Sequence, residues 1–236
     1  MKATVIVAAA GRGQRMKEKV NKQYLPLAGK PVLYYSLAAC LASGRFEQIV
    51  VVVTPGEEEL LRRDVLLPYF PDTNICVVGG GKERQDSVWE GLLAVNADSD
   101  LICVHDGARP LVTPELLNRS LETATRLGTA VAAVPVKDTI KQVDESRKVV
   151  ETPPRHSLWA VQTPQTFRRD WLEDAYKRAR HDSFYATDDA ALLEHYGYPV
   201  HIFPSEYSNL KVTTPDDLVL AEALLGRETH AHWDRV

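Results

Sequence analysis

The residues of this chain best suited to chemistry are cations set beside glycines. Arg12, Arg15 and Lys22 follow the apolar run VIVAAA through a turn that contains Gly11 and Gly13. Glycines let backbone N–H groups approach an anion, and the cations add full positive charge. The turn matches neither familiar phosphate loop. Met16 stands where a dinucleotide fingerprint has its third glycine, and the Walker spacing is absent. Taken alone, the turn also reads as a tight bend with solvated cations. A second stretch, GGGKERQDSV at 79–88, is more telling. Gly79, Gly80 and Gly81 permit very close backbone approach, which suits a flat base read by main-chain groups; Lys82 and Arg84 supply charge and Ser87 a hydroxyl. Its plainer reading is a flexible strand-to-helix turn.

Two further stretches add single groups. Asp106 ends the apolar run LICVH, and a carboxylate there suits a divalent metal or a ribose hydroxyl. The alternative is a helix cap or an ion pair with Arg109. His105, beside it, reads as structural. Lys211 lies in NLKVTTPDD, where Asp216 and Asp217 suit the first turn of a following helix and leave the lysine to face a ligand.

These four stretches lie up to some 200 residues apart, so their meeting depends on the elements between them. Short β-branched runs alternate with helix-like segments. The expected strands are 4–8, 48–54, 74–78, 101–105, 130–136 and 200–203; the expected helices are 31–42, 83–94, 114–126, 170–180, 188–196 and 215–225. Runs such as IVVVV are apolar without alternation, as in strands covered by helices on both faces. Thr113–Pro114 and Thr214–Pro215 each place a Thr N-cap before a Pro at the first helical position. The order predicts an α/β fold with a doubly wound, mostly parallel sheet. In such a sheet the strand carboxyl ends share one edge, and ligands bind there. The four stretches are therefore expected to converge on one polyanion site.

Residues 137–155, KDTIKQVDESRKVVETPPR, break the rhythm. Two β-like pieces, 139–143 and 148–151, flank a polar turn and predict an antiparallel hairpin with too few apolar residues for a core of its own. It is either an exposed flap or an arm packed on a partner subunit. One α/β body, 1–136 and 156–226, is expected around it, with a frayed tail at 227–236.

The totals agree with one α/β domain. The chain has 236 residues, 44% apolar and 25% charged, with a formal net charge of −4. That balance argues against nucleic-acid or membrane-surface binding, yet permits a local cationic cluster for a small anion. Cys40, Cys76 and Cys103 form no CxxC pair and predict reduced thiols in a cytoplasmic protein. Lys2 and VIVAAA superficially copy a signal peptide, but the apolar core is short and one positive charge precedes it. No apolar run reaches the ~18 residues of a membrane span.

The stretches VIVAAAGRGQRM, NKQYLPLAGKPVL, GGGKERQDSVWEGL, VHDGARP, PVKDTIK, LWAVQTPQTF, ATDDAALLE and NLKVTTPDDL occur in this order. Together they resemble the 2-C-methyl-D-erythritol 4-phosphate cytidylyltransferase family, over nearly all of residues 3–225. The related ribitol-5-phosphate cytidylyltransferases share most of these motifs. A catalytically silent nucleotide-binding module is a third reading, although it would be expected to lose Arg15, Lys22 or Lys211.

The resemblance implies a Rossmann-like nucleotidyltransferase fold, CTP and a sugar-alcohol phosphate as substrates, and Mg²⁺ or another divalent cation. It implies that Arg15, Lys22 and Lys211 are catalytic. Ala9, Ala10, Gly11, Gly13, Gly80, Gly81, Ser87 and Asp106 would bind the nucleotide, with Asp106 also near the metal. Thr139, Arg155, Thr163, Arg109 and Thr187 would bind the acceptor. The hairpin would swap across a homodimer, carrying Thr139 and Arg155 to the partner's site. One departure is visible: Lys82 stands where some members carry Asp, which adds positive charge by the nucleotide.

Overall fold

A computed structural model describes residues 1–11 and 21–231, with side chains through residue 226. In chain order the elements are β1 (Ala3–Ala9), β2 (Pro26–Leu27), β3 (Lys30–Pro31), α1 (Val32–Ser43), β4 (Gln48–Val53), α2 (Glu58–Leu61), α3 (Leu67–Tyr69), β5 (Cys76–Gly79), α4 (Arg84–Leu93) and β6 (Leu101–Asp106). There follow α5 (Pro114–Leu127), β7 (Thr129–Pro135), β8 (Gln142–Val143), β9 (Val149–Glu151), β10 (Trp159–Arg168), α6 (Arg169–Asp182), α7 (Asp189–His195), β11 (Ile202–Pro204) and α8 (Pro215–Ala231). The principal sheet has seven strands in the order β11-β7-β10-β6-β1-β4-β5. Every pairing in it is parallel except those of β10, which runs antiparallel to β6 and β7.

The unalternating strands have the expected cause. In β4, Ile49, Val51 and Val53 face one core layer, with Leu33 and Leu37 of α1 and Leu117 of α5. Val50 and Val52 face the other, with Val88 of α4, Leu172 of α6 and Leu192 of α7. Both faces are thus dry, and apolar residues are favoured at successive positions. Both predicted Thr N-caps form: the Thr113 hydroxyl accepts from Leu116 N–H at 3.2 Å and that of Thr214 from Asp217 N–H at 3.3 Å.

The expected strand list requires the short β2–β3 pair and, in the principal sheet, one further strand. β10 sits inside the sheet although it contains Pro164, a residue that argues against a central strand. The proline is accommodated where the β10–β7 register shifts, between Val161 and Gln165. The helix α8 continues to Ala231. The hairpin forms as expected: β8 and β9 pair antiparallel around a turn closed by Asp144, whose carboxylate accepts from Ser146 N–H and Lys148 N–H. Its apolar side chains Ile140, Val143, Val149 and Val150 are exposed on this single chain. Among the described residues no helix is long and apolar enough to cross a membrane.

Strand order reverses about β1. The chain passes from β1 to β4 and β5 on one side, then crosses to β6 on the other. This topological switch leaves a crevice beyond the carboxyl ends of β1 and β6.

Candidate active site

A cavity of about 760 Å³ occupies that crevice. Its wall takes Ala9, Ala10 and Gly11 from the end of β1, Lys22 from the next segment, Gly80, Gly81, Lys82, Arg84 and Ser87 from around the start of α4, Asp106 from β6, and Lys211 from before α8. The convergence expected from the sequence therefore occurs among the described residues. Gly13 and Arg15 lie outside them. Among the described residues four cations and two carboxylates line the cavity, which gives it the sign that a polyanion requires.

The first wall is pinned by side chains that reach the end of β1. The Gln23 amide donates to Ala9 O at 2.5 Å, and the Thr54 hydroxyl to Ala10 O at 3.2 Å. The Asn21 amide donates to Thr54 Oγ1 at 3.2 Å and also to Glu57. Lys22 crosses to the last wall, its Nζ 2.9 Å from Val212 O, and Val212 N–H in turn donates to Ala108 O at 2.8 Å.

The second wall shows why glycine is needed. A Cβ on Gly80 would stand 2.7 Å from Ser87 Oγ and 2.9 Å from Ala10 Cβ, so a side chain there would collide with α4 of its own wall and with the first wall. The buried Ser87 hydroxyl accepts from Gly81 N–H at 3.2 Å and donates to Glu83 O at 3.0 Å. A capping box between Glu83 and Asp86 then starts α4.

Asp106 is the floor. It is 6% exposed and meets three cations. Lys211 Nζ lies 2.7 Å from Oδ2, Arg109 Nε 3.7 Å from Oδ2, and Arg84 Nε 3.5 Å from Oδ1. Burial alone would raise its pKa. Arg84, Lys211 and Arg109 outweigh burial and hold the carboxyl well below its usual range. Asp106 is therefore an anion inside a cationic pocket. The ion pair with Arg109, one of the sequence alternatives, is present; so is a pairing with Lys211 that the sequence did not suggest.

The expected acceptor residues divide into two groups. Arg109 and Thr163 are buried against Asp106 and do not line the cavity. Arg109 Nη1 donates to Asn209 O at 2.7 Å, while Thr163 Oγ1 accepts from Asp106 N–H at 3.0 Å and lies 3.0 Å from His105 Nδ1. Thr139, Arg155 and Thr187 are exposed and do not line it either. Arg155 stands at the base of the hairpin, its Nη1 donating to Lys137 O at 2.8 Å. His105 is structural as expected: it is fully buried, and burial lowers its pKa to about 4.

Sequence reasoning missed several supporting residues. Asn209 is 1% exposed, and its amide donates to Gln162 Oε1 at 3.0 Å and to Thr163 O at 2.8 Å, which fixes the segment carrying Lys211. Gln23 and Asp189 are likewise buried and engaged. The signal available was only their polarity within the quoted stretches NLKVTTPDDL, NKQYLPLAGKPVL and ATDDAALLE.

For a metal, the described residues contain no group of three or more His, Cys, Asp or Glu side chains arranged to hold an ion. Asp106 supplies one carboxylate. A single carboxylate completed by substrate phosphates suits Mg²⁺. The donor set thus fits a cation that arrives with a triphosphate.

The family model described as "IspD: 2-C-methyl-D-erythritol 4-phosphate cytidylyltransferase" matches residues 3–227. A curated protein of that name from Alkaliphilus metalliredigens is 46% identical over 226 residues, covering 96% of this chain and 94% of its own. Another, from Pelotomaculum thermopropionicum, is 47% identical over 224 residues, covering 95% and 94%. Among solved structures, 4-diphosphocytidyl-2C-methyl-D-erythritol synthase from Anaerococcus prevotii superposes with a TM-score of 0.84 at 31% identity, covering 95% of this chain and 98% of its own. The 2-C-methyl-D-erythritol 4-phosphate cytidylyltransferase from Thermus thermophilus gives 0.77 at 35% identity, with the same coverage. With the family model matched over almost its whole length, this chain belongs to the 2-C-methyl-D-erythritol 4-phosphate cytidylyltransferase family.

Proposed function

We propose that the cavity transfers CMP from CTP to 2-C-methyl-D-erythritol 4-phosphate, giving 4-diphosphocytidyl-2-C-methyl-D-erythritol and pyrophosphate. The observation that carries this reading is the meeting of Lys22, Lys211 and the glycine segment around Asp106 at the switch point. An oxygen of the acceptor phosphate attacks the α-phosphorus of CTP. A new P–O bond forms as the bond to the β-phosphate oxygen breaks, and pyrophosphate leaves with that electron pair. The attacking phosphate is already an anion, so no strong general base is required. Catalysis is then positioning and stabilisation of charge that builds on the non-bridging oxygens and the leaving group.

Arg15 and Lys22 are assigned to the triphosphate and its developing charge. Lys211 is assigned to the space between the α-phosphate and the incoming phosphate. Backbone groups of Ala9, Ala10, Gly11, Gly13, Gly80 and Gly81, with Ser87, read the nucleotide. Asp106 is assigned to the ribose side and as the protein ligand of Mg²⁺, an ion that would offset triphosphate charge. Thr139, Arg155, Thr187, Thr163 and Arg109 are assigned to the acceptor.

The protein is further proposed to act as a homodimer whose arms, 137–155, exchange. The exposed valines of β8 and β9, and an Arg155 that does not line its own chain's cavity, support that arrangement. Free Cys40, Cys76 and Cys103 fit a reducing cytoplasm. The deciding experiment offers four nucleoside triphosphates against methylerythritol phosphate and ribitol 5-phosphate while following pyrophosphate. CTP with methylerythritol phosphate should be preferred; preference for ribitol phosphate, or no pyrophosphate from any pair, would reject the reading.

A further inference from the structure

We propose that Arg84 is a positioning residue for the transfer, a clamp that fixes Asp106 on the cavity floor to Asp189 beneath the Thr187 segment. The inference rests on the cytidylyl-transfer reading above.

Arg84 is the first residue of α4. A cation is disfavoured at a helix N-terminus, where the helix dipole is already positive. Its placement needs another cause, and the structure supplies one. The guanidinium reaches back to two carboxylates on different elements: Nε lies 3.5 Å from Asp106 Oδ1 and Nη1 lies 2.8 Å from Asp189 Oδ2. A planar fork can engage two carboxylates at once, whereas a lysine ammonium acts as a point charge.

Each end of the clamp is itself held. Asp189 is 1% exposed, and its other oxygen accepts from the Tyr176 hydroxyl at 2.5 Å. Asp189 opens α7, directly after Asp188, whose carboxylate caps that helix through Ala191 N–H and accepts from the Gln165 amide at 2.7 Å. At the other end, Arg84 takes Asp106 Oδ1 while Lys211 and Arg109 take Oδ2, so the carboxylate is gripped from both sides. The next residue repeats the link. The Gln85 amide donates to Phe184 O at 2.9 Å and accepts from Ala186 N–H at 2.9 Å. The start of α4 thus ties the glycine segment on the nucleotide side to 184–189 on the assigned acceptor side. A misplacement of about 1 Å between those two sides is costly for an in-line displacement.

The test uses full-length Arg84→Met, Arg84→Lys, Asp189→Asn and the double variant R84M/D189N. Pyrophosphate release gives kcat and both KM values, and calorimetric titration with CTP gives its Kd separately. For R84M we expect kcat to fall at least tenfold and acceptor KM to rise, with the Kd for CTP within threefold of wild type. R84K should recover part of that loss, D189N should lower kcat in the same direction, and the double variant should be no slower than R84M. A kcat for R84M within twofold of wild type, a loss confined to CTP affinity, or fully multiplicative effects of R84M and D189N would overturn the clamp. Should R84M fail to fold because Asp189 is left unpaired, the double variant is compared with D189N alone. Equal kcat supports the clamp, and a further tenfold loss rejects it. Wild-type protein inert with this substrate pair would instead sink the transfer reading, and the clamp with it.

Discussion

Lys22 Nζ donates to Val212 O at 2.9 Å, joining segments 190 residues apart in the chain. The lysine follows residues 12–20 in the chain, and Val212 follows Lys211 directly. The bond therefore places the two lysines assigned to the phosphates on neighbouring walls of one cavity. It also makes the geometry around Lys22 dependent on the far end of the fold.

The first prediction concerns those cations. Lys22→Ala and Arg15→Ala should each lower turnover by about 10²-fold or more, the order seen when one transition-state donor is removed. Pyrophosphate release at saturating CTP and acceptor measures this. Turnover within a factor of two of wild type in both variants would remove these residues from the chemistry.

Asn209→Ala should cost both stability and activity. The amide serves Gln162 Oε1 and Thr163 O inside the protein; without it Gln162 Oε1 keeps the Ser205 hydroxyl at 2.8 Å, while Thr163 O loses its side-chain donor. A buried acceptor left without a donor costs about 1–3 kcal/mol. Because Lys211 is two residues away, kcat should fall as well. Denaturant midpoints together with pyrophosphate assays test the pair of effects; a normal midpoint would mean that the segment is held by other contacts.

The contrast between Lys211 and Asn209 shows how far the sequence was legible. The fold could be read because β1 and β4 keep β-branched residues on both faces, and because Thr–Pro pairs mark two helix starts. The edge where chemistry would gather followed from parallel strand order, which put Lys22, Gly80, Asp106 and Lys211 together there. β10 escaped notice because Pro164 contradicts a central strand, and the register shift that accommodates it leaves no local mark. Asn209, Gln23 and Asp189 escaped because their partners are tertiary: Asn209 meets Thr163 across 46 residues, and Asp189 meets Arg84 from another helix. Spacing along the chain carries no information about such pairs.

A pH dependence follows from His105. Its ring is fully buried and its pKa is lowered to about 4 from an ordinary 6.5, mainly by burial. As pH falls below 6.5, the unfolded chain binds this proton while the folded chain does not. Stability is therefore intact above 6.5 and is lost toward pH 4, by about 2 kcal/mol between pH 7 and 5. Asp106, whose pKa is lowered, adds loss only below its ordinary 3.8. Urea unfolding at pH 7, 6 and 5 should show the slope, and His105→Gln should flatten it. An unchanged slope in that variant would place the titrating group elsewhere.

Metal removal should stop turnover. Asp106, the carboxylate on the cavity floor, is already paired with Lys211, so a divalent cation would be held largely by substrate phosphates. EDTA should abolish pyrophosphate release and excess Mg²⁺ should restore it. In the absence of nucleotide, binding of Mg²⁺ to the protein should be weak by calorimetry. Full activity in EDTA would leave the phosphate charge to Arg15, Lys22 and Lys211 alone.

The arm gives the most discriminating test of the assembly. Arg155 sits at the base of the hairpin, exposed, donating to Lys137 O rather than lining its own chain's cavity. The valines at 143, 149 and 150 leave an apolar surface that a second copy would cover. If arms exchange, each active site takes Lys22 from one chain and Arg155 from the other. Arg155→Ala and Lys22→Ala homodimers should then both be nearly inactive. A mixed dimer carries both lesions at one site and neither at the other, so mixing after subunit exchange should restore activity toward one half of wild type per mixed dimer. The exchange itself is followed with differently tagged chains. Were each chain to build its site from its own Arg155, every site in a mixed dimer would keep one lesion, and confirmed exchange would bring no recovery. The same samples run by sedimentation report the dimer directly, and an active monomer would exclude a shared site.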